Sequence, residues 1–166
     1  MIPTATAALD FARKTAGAMR DEKADLRTRA LTARKAAFET HGAVAGRKLA
    51  AHGLDFLGVR PGITVSGFAA IRDEIDPTAL LDWLHREGFK LALPVMEGRG
   101  RPLRMRSWTP GDEMASVQWG IREPRADKEE LLPDVLLVPL LAFDRNGWRI
   151  GLELPSGSDP TRCRAR

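Results

Sequence analysis

Four basic side chains near the beginning of the chain have the spacing of one helix face. Arg20, Lys23, Arg27 and Arg34 fall within roughly 60° of one another when residues are placed about 100° apart around a helix. Clustered cations can bind the phosphates or carboxylates of an anionic ligand. The same pattern is also typical of a solvated basic face whose aliphatic stems cover the rim of a buried surface. The spacing therefore indicates either an anion site or a solvated face.

A second group of residues that could do chemistry is a cluster of carboxylates after a predicted strand. Asp73, Glu74 and Asp76 follow the β-branched, apolar segment at residues 63–69. Ligands of open α/β sheets bind beyond the carboxyl ends of strands, and Glu74 could accept hydrogen bonds there from a polar ligand ring. It could equally be an ordinary acid at the start of the next helix, favoured by the helix dipole. The residues alone leave both interpretations open.

An arginine-rich turn at residues 97–102 separates two predicted strands, at residues 89–95 and 103–108, which we expect to form an edge hairpin. Its guanidinium groups could touch the phosphates of a nucleic acid, or they could protect an exposed sheet edge from aggregation. The arginines of this hairpin are Arg99, Arg101, Arg104 and Arg106.

Trp119 lies in an otherwise loop-like segment, where it could cover a flat aromatic ligand or fill a gap in the core. His41 and His52 have no ligand residue at a suitable spacing, so we predict no metal site around them. The sequence contains none of the Walker, GxGxxG, HExxH, GxSxG or CxxC motifs. Spacing alone therefore identifies no catalytic residue.

The elements that must position these groups begin with two predicted helices, at residues 21–38 and 39–56, the second weakened by glycines. A βαβ unit with a right-handed crossover follows: a strand at 63–69, a helix at 77–87 and a strand at 89–95. The apolar stripe that we expect the first helix to dock on the sheet consists of Leu26, Ala30, Ala33 and Ala37.

The apolar run at residues 135–143 has no polar alternation, which predicts a central strand covered on both faces. Asn146 and Gly147 then predict a tight turn. Asp76 and Gly88 are the expected N-cap and C-terminal stop of the helix between the first two strands. Ligands should therefore gather near the carboxyl ends of these strands.

Whole-chain properties limit the class of protein. A chain of 166 residues with 43% hydrophobic residues is expected to form one soluble domain. A single cysteine, Cys163, and the lack of a secretory apolar region predict a reducing, cytoplasmic location, and no apolar run reaches the roughly 20 residues of a membrane helix. The net charge of +4 favours an anionic partner.

Three segments, in this order, resemble the 5-formyltetrahydrofolate cyclo-ligase family, also called methenyltetrahydrofolate synthetase. They are Lys-Ala-Asp-Leu-Arg at 23–27, residues 73–81 with Leu-Ala-Leu-Pro-Val at 91–95, and Trp-Gly-Ile-Arg-Glu-Pro at 119–124 leading into residues 133–151. The most distinctive run is Pro-Asp-Val-Leu-Leu-Val-Pro-Leu-Leu-Ala-Phe-Asp at 133–144. The resemblance covers about residues 20–151.

The resemblance implies a three-layer α/β/α sandwich with a mostly parallel, Rossmann-like sheet, of the class shared with sugar-phosphate isomerases and CoA transferases. It implies an ATP- and magnesium-dependent ring closure of 5-formyltetrahydrofolate to 5,10-methenyltetrahydrofolate by a monomer with no nucleic-acid or membrane partner. The implied ATP-binding residues are Lys23, Arg27, Arg149, Ile150 and Gly151. The implied folate-binding residues are Ala69, Glu74 and Trp119.

The sequence departs from the family pattern after Gly151. Family members continue with a glycine-rich Tyr-Gly-x-Gly-Tyr-Tyr-Asp-Arg loop that cradles phosphates, whereas residues 152–166 lack it, and Asp159 is the remaining aspartate for a metal. We expect that a frameshift or truncation produced this tail. The alternatives to an active ligase are an impaired homologue and a non-catalytic α/β protein that binds anions or nucleic acid.

Overall fold

A computed structural model describes residues 5–98, 101–117 and 121–151, with side chains from residue 21 onward. These residues form two compact units. Unit 1 comprises residues 5–34 and 140–151, and unit 2 comprises the described residues between 35 and 139.

The first helix, α1 (Ala5–His52), runs without a break. The prediction of two helices is therefore wrong. Gly42 and Gly46 each cost a helix only about 1 kcal/mol relative to alanine, which does not end it among so many good helix formers. Although α1 is long, neither it nor any other helix in the described residues is apolar enough to cross a membrane.

The half-buried face of α1 in unit 1 differs from the predicted apolar stripe. Leu26 is 39% exposed and Ala33 is exposed, although Ala30 is half-buried as expected. Ala37, the last residue of the predicted stripe, belongs to unit 2 and is exposed. The other half-buried positions of this stretch are Arg27, Leu31 and Arg34. Arginine stems cover apolar surface as well as alanines do, so the buried face could not be located from hydrophobicity alone.

Unit 2 is built on a four-stranded sheet of β1 (Thr64–Ser66), β2 (Lys90–Val95), β3 (Arg104–Ser107) and β6 (Val135–Leu136). Across the sheet the strands lie in the order β3-β2-β1-β6. β1 pairs in parallel with β2 and with β6, and β2 pairs antiparallel with β3. This mostly parallel sheet confirms the predicted α/β class, and β3 forms the predicted edge hairpin.

Helix α2 (Thr78–Arg86) provides the crossover between β1 and β2. The N-cap of α2 is Pro77, one residue after the predicted Asp76, whose Oδ1 atom accepts the Thr78 backbone N–H at 2.9 Å. Gly88 follows the C-cap and ends the helix with φ 87°, as predicted. The leucines that α2 buries against the sheet are Leu80, Leu81 and Leu84. They were predicted from sequence, and with Val65, Leu91 and Leu93 they form the core of unit 2.

The predicted central strand at residues 135–143 is not a single strand. β6 ends at Leu136, and Leu137 donates its N–H to Ser66 O at 2.8 Å before the pairing stops. Pro139 has no N–H to continue the pairing, and the boundary between the two units follows it. In the described part of the sheet β6 is an edge strand, with Leu136 39% exposed.

A short 3₁₀ helix, Asp55–Leu57, follows α1, and two short hairpins complete the described elements. In unit 2, β4 (Met114–Ser116) pairs antiparallel with β5 (Arg122–Pro124). In unit 1, β7 (Ala142–Phe143) pairs antiparallel with β8 (Arg149–Ile150).

Candidate functional site

Unit 1 brings together the two segments that were predicted to bind ATP. Arg27, on α1, donates its Nε–H to the backbone oxygen of Gly151 at 3.4 Å, across 124 residues of sequence. Lys23 lies one turn earlier on the same helix and is exposed, whereas Arg27 is half-buried. A helix cation is thus connected to the end of β8, where Arg149, Ile150 and Gly151 follow one another.

The position of Gly151 depends on a local turn. The Oδ1 atom of Asp144 accepts the backbone N–H groups of Asn146 and Trp148, both at 2.9 Å, and Gly147 adopts φ 86°. This is the predicted Asn-Gly turn, closed by the aspartate before it. The turn aligns β8 antiparallel to β7 and so carries Gly151 back to α1 within unit 1.

The described residues leave space beside the backbone of Gly151. A Cβ atom built on Gly151 would meet no described atom within 4 Å, so the packing of the described residues does not require glycine there. Lys23 and Arg149 are exposed cations in the same unit, and Arg27 contacts the Gly151 carbonyl. Cations and an accessible backbone segment are the components from which proteins build phosphate sites.

The predicted folate residues Ala69 and Glu74 lie in unit 2, in the loop from β1 to α2. Glu74 is 8% exposed, and its Oε2 atom accepts the Ile71 N–H at 3.0 Å. Arg72, inside the turn that this bond closes, adopts φ 57°, which non-glycine residues rarely do. Strained backbone of this kind concentrates at functional sites.

The alternative interpretation of Glu74 as a helix-start acid is wrong. α2 begins at Thr78, its first turn contains no acidic residue, and the carboxylate that accepts the Thr78 N–H belongs to Asp76. Glu74 instead shapes the loop that contains it and Ala69, which is half-buried. The third predicted folate residue, Trp119, lies outside the described residues, between β4 and β5.

Sequence reasoning missed Glu123 on β5. This side chain is 4% exposed, and its Oε1 atom accepts the Met96 backbone N–H at 3.0 Å. Burial raises the pKa of the Glu123 carboxyl, while the Met96 hydrogen bond and the charge of Arg106 partly offset that rise. The sequence signal was weak because a glutamate between Arg122 and Pro124 reads as part of an exposed loop.

The arginine-rich hairpin forms ion pairs within the chain. Arg104 lies 2.9 Å from a Glu97 oxygen through Nε and 3.0 Å from a Glu130 oxygen through a terminal nitrogen. These carboxylates reduce the positive field of β3, which favours the structural interpretation of the hairpin over phosphate binding. Arg99 lies outside the described residues.

Within the described ranges, no three histidine, cysteine, aspartate or glutamate residues come together as metal ligands. Asp159, the predicted substitute for a family metal ligand, lies outside those ranges.

Comparison with known proteins identifies relatives of this chain. The model of the 5-formyltetrahydrofolate cyclo-ligase family matches residues 19–152. The 5-formyltetrahydrofolate cyclo-ligases of Escherichia coli K12 and Mycolicibacterium smegmatis are 35% and 36% identical to the chain over 95 and 101 residues. Each match covers 54% of this chain and 52% or 50% of the relative. The chain thus spans about half the length of the curated relatives it matches.

A solved structure has a similar fold. The NMR structure of Aquifex aeolicus 5,10-methenyltetrahydrofolate synthetase superposes with a TM-score of 0.63 and 25% identity. The superposition covers 81% of this chain and 69% of that chain.

Proposed function

Because the chain belongs to the 5-formyltetrahydrofolate cyclo-ligase family, we propose that it catalyses the ATP-dependent cyclisation of 5-formyltetrahydrofolate to 5,10-methenyltetrahydrofolate. The observation that carries this proposal is the contact between Arg27 and Gly151. It joins two segments that are far apart in sequence and were each expected to bind ATP.

In the proposed site, Lys23 and Arg27 neutralise the ATP phosphates from the helix side. Arg149, Ile150 and Gly151 supply a further cation and a stretch of backbone from the β8 side. The half-buried position of Arg27 and the open backbone at Gly151 support these roles. Because water is partly excluded from Arg27, its charge acts more strongly on a phosphate than a fully exposed charge would.

For the folate, we propose that Ala69 borders the pterin and that Glu74 accepts hydrogen bonds from its N–H donors. The low exposure of Glu74 and its fixed turn support this role, since a held carboxylate loses little conformational freedom on binding. Trp119 is proposed to pack on the folate.

The proposed reaction needs positioning and charge neutralisation from the protein. The γ-phosphoryl group moves from ATP to the formyl oxygen, so a new O–P bond forms, the bond between the β- and γ-phosphates breaks, and ADP leaves. N10 then attacks the formyl carbon, its proton leaves, and the original formyl oxygen departs as phosphate. Such steps are accelerated mainly by orientation and by cations at the phosphoryl oxygens. Mg²⁺ is proposed to enter as part of the Mg–ATP substrate.

A pair of arginine substitutions tests the ATP assignment. Arg27→Ala removes the helix cation that contacts Gly151, whereas Arg29→Ala removes an exposed arginine of the same helix. Initial rates of methenyltetrahydrofolate formation are measured against ATP concentration for both variants and the unchanged chain. We expect Arg27→Ala to raise the KM for ATP about tenfold or more, because a charge-assisted contact contributes about 1.5–3 kcal/mol.

Arg29→Ala should leave the KM for ATP within about twofold of the unchanged chain, as exposed charges contribute little. Equal effects of the two substitutions would show that general positive charge, not a site at Arg27 and Gly151, controls ATP use. That result would refute the proposed ATP site.

A further inference from the structure

Glu123 connects two separate sheets of unit 2. It lies on β5, in the β4–β5 hairpin, while its hydrogen-bond partner Met96 is the first residue after β2 of the main sheet. The bond is 3.0 Å long and the glutamate is only 4% exposed. One buried carboxylate therefore holds the hairpin to the end of a core strand.

Met96 lies at the edge of the sheet where the predicted folate loop begins. β1 and β2 run parallel, with Ser66 opposite Ala92, and Gly67 donates its N–H to Ala92 O at 2.9 Å. β2 continues for three residues beyond Ala92 to Val95, on the side where the chain leaves β1 towards Ala69. Glu123 thus attaches the hairpin at the carboxyl edge of the parallel strands, where ligands of such sheets bind.

A buried carboxylate is a costly way to hold two strands together. Removal from water penalises its charged form, which is why burial raises the pKa of Glu123. A neutral glutamine could accept the same N–H, and an apolar side chain could fill the same volume, without that cost. The residue is therefore better explained by the geometry it imposes than by the stability it adds.

We infer that Glu123 is a positioning residue that fixes the β4–β5 hairpin at the carboxyl edge of the sheet and thereby sets folate affinity. This inference rests on the proposed function, because the loop that leaves β1 at this edge contains the proposed folate residues Ala69 and Glu74. Glu123 acts through Met96 and does not itself touch the reacting atoms. It is needed as a hydrogen-bond acceptor, so its negative charge is dispensable.

Three variants of the full chain test this role. Glu123→Ala removes the acceptor, and Glu123→Gln keeps an acceptor oxygen without the charge. Asp134→Ala is the matched control, because Asp134 Oδ2 accepts the Thr64 N–H at 2.8 Å at the opposite, amino-terminal edge of β1. It removes a carboxylate-to-backbone hydrogen bond away from the folate loop, from a side chain that is exposed where Glu123 is buried.

The first measurement is amide hydrogen exchange in the chain without ligand. We expect Glu123→Ala to speed exchange at Met96 and in β4 and β5 about tenfold, since a buried N–H loses its acceptor. Glu123→Gln should restore slow exchange, and Asp134→Ala should affect the region of Thr64 only. Unchanged exchange in Glu123→Ala would overturn the inference whether or not the chain binds folate.

The second measurement is the dissociation constant for 5-formyltetrahydrofolate and, separately, for ATP. We expect Glu123→Ala to weaken folate binding about tenfold and ATP binding less than twofold, with Glu123→Gln and Asp134→Ala close to the unchanged chain. Equal weakening of both ligands, or of neither, would overturn the positioning role. Failure of the unchanged chain to bind folate at all would instead overturn the proposed function on which this inference rests.

Discussion

Two glycines on the same helix should respond in opposite ways to substitution by alanine. Gly46 and Gly42 are one turn apart in the unit 2 part of α1. A Cβ atom at Gly46 would overlap the backbone oxygen of Asp76, whereas a Cβ at Gly42 would meet the Phe38 ring, at 2.8 Å from its nearest atom. Both replacements improve helix propensity, so the neighbour decides the outcome.

The change in the free energy of unfolding depends on the atoms that each new Cβ would meet. Alanine in place of glycine stabilises a helix interior by about 1 kcal/mol. Asp76 has little freedom to move, because its side chain accepts the Thr78 N–H and the next residue, Pro77, is fully buried. Forcing an atom into such packing costs about 1–3 kcal/mol, so Gly46→Ala should lower the free energy of unfolding by about 1 kcal/mol. Phe38 is 42% exposed and can rotate, so Gly42→Ala should raise that free energy by about 0.5–1 kcal/mol.

Urea unfolding followed by circular dichroism measures both changes, provided that the slope with urea stays the same in the two variants. The midpoints should move in opposite directions from that of the unchanged chain. A Gly46→Ala variant as stable as Gly42→Ala would refute the close approach of α1 to the loop that precedes α2.

Three further predictions concern other parts of the chain. Leu84→Ala should lower the free energy of unfolding by about 2–5 kcal/mol in a urea titration, because Leu84 is fully buried in the core; a loss below about 1 kcal/mol would contradict that packing. Since burial raises the pKa of Glu123, the folded chain binds its proton more readily than the unfolded chain, and stability should fall as pH rises from the ordinary value of 4.5 through the raised pKa. Glu123→Gln should remove that fall in urea titrations at several pH values, and an unchanged pH profile would assign the fall to other groups. Asp144→Ala should speed amide exchange in β8 and weaken ATP binding by several-fold, because two backbone N–H groups lose their acceptor; unaltered exchange would show that the turn forms without Asp144.

Local signals were read correctly from the sequence. The predicted start of α2 at Asp76 is within one residue of the observed N-cap, Pro77, and Gly88 ends the helix as predicted. These ends, like the Asn146-Gly147 turn, depend on a few neighbouring residues. The leucines of α2 follow from helical periodicity. The order of strand, helix and strand was sufficient to predict a parallel pair, because a helix between two strands forms a crossover connection.

Features that depend on contacts between residues far apart in the sequence could not be predicted from local patterns. The apolar run at 135–143 has the composition of one buried strand, but its division into β6 and β7 follows from which strands are available to pair with it. The half-buried face of α1 includes Arg27 and Arg34, whose polarity conceals it from a hydrophobic pattern. Glu123 was missed because its burial arises from a bond to Met96, 27 residues away.

The family resemblance distinguished between two interpretations of the basic face of α1. Basic residues on one helix face were equally consistent with a solvated surface, and the resemblance assigned Lys23 and Arg27 to ATP. The contact of Arg27 with Gly151 then supports that assignment by geometry that neither segment encodes alone.

The most direct test of the central proposal is the absorbance change on methenyltetrahydrofolate formation by the purified 166-residue chain, supplied with 5-formyltetrahydrofolate and Mg²⁺, with and without ATP. We expect product only when ATP is present, with one ADP formed for each product molecule. A folded chain that forms no product with ATP, or forms it equally without ATP, would contradict the proposal that this chain is an ATP-dependent cyclo-ligase.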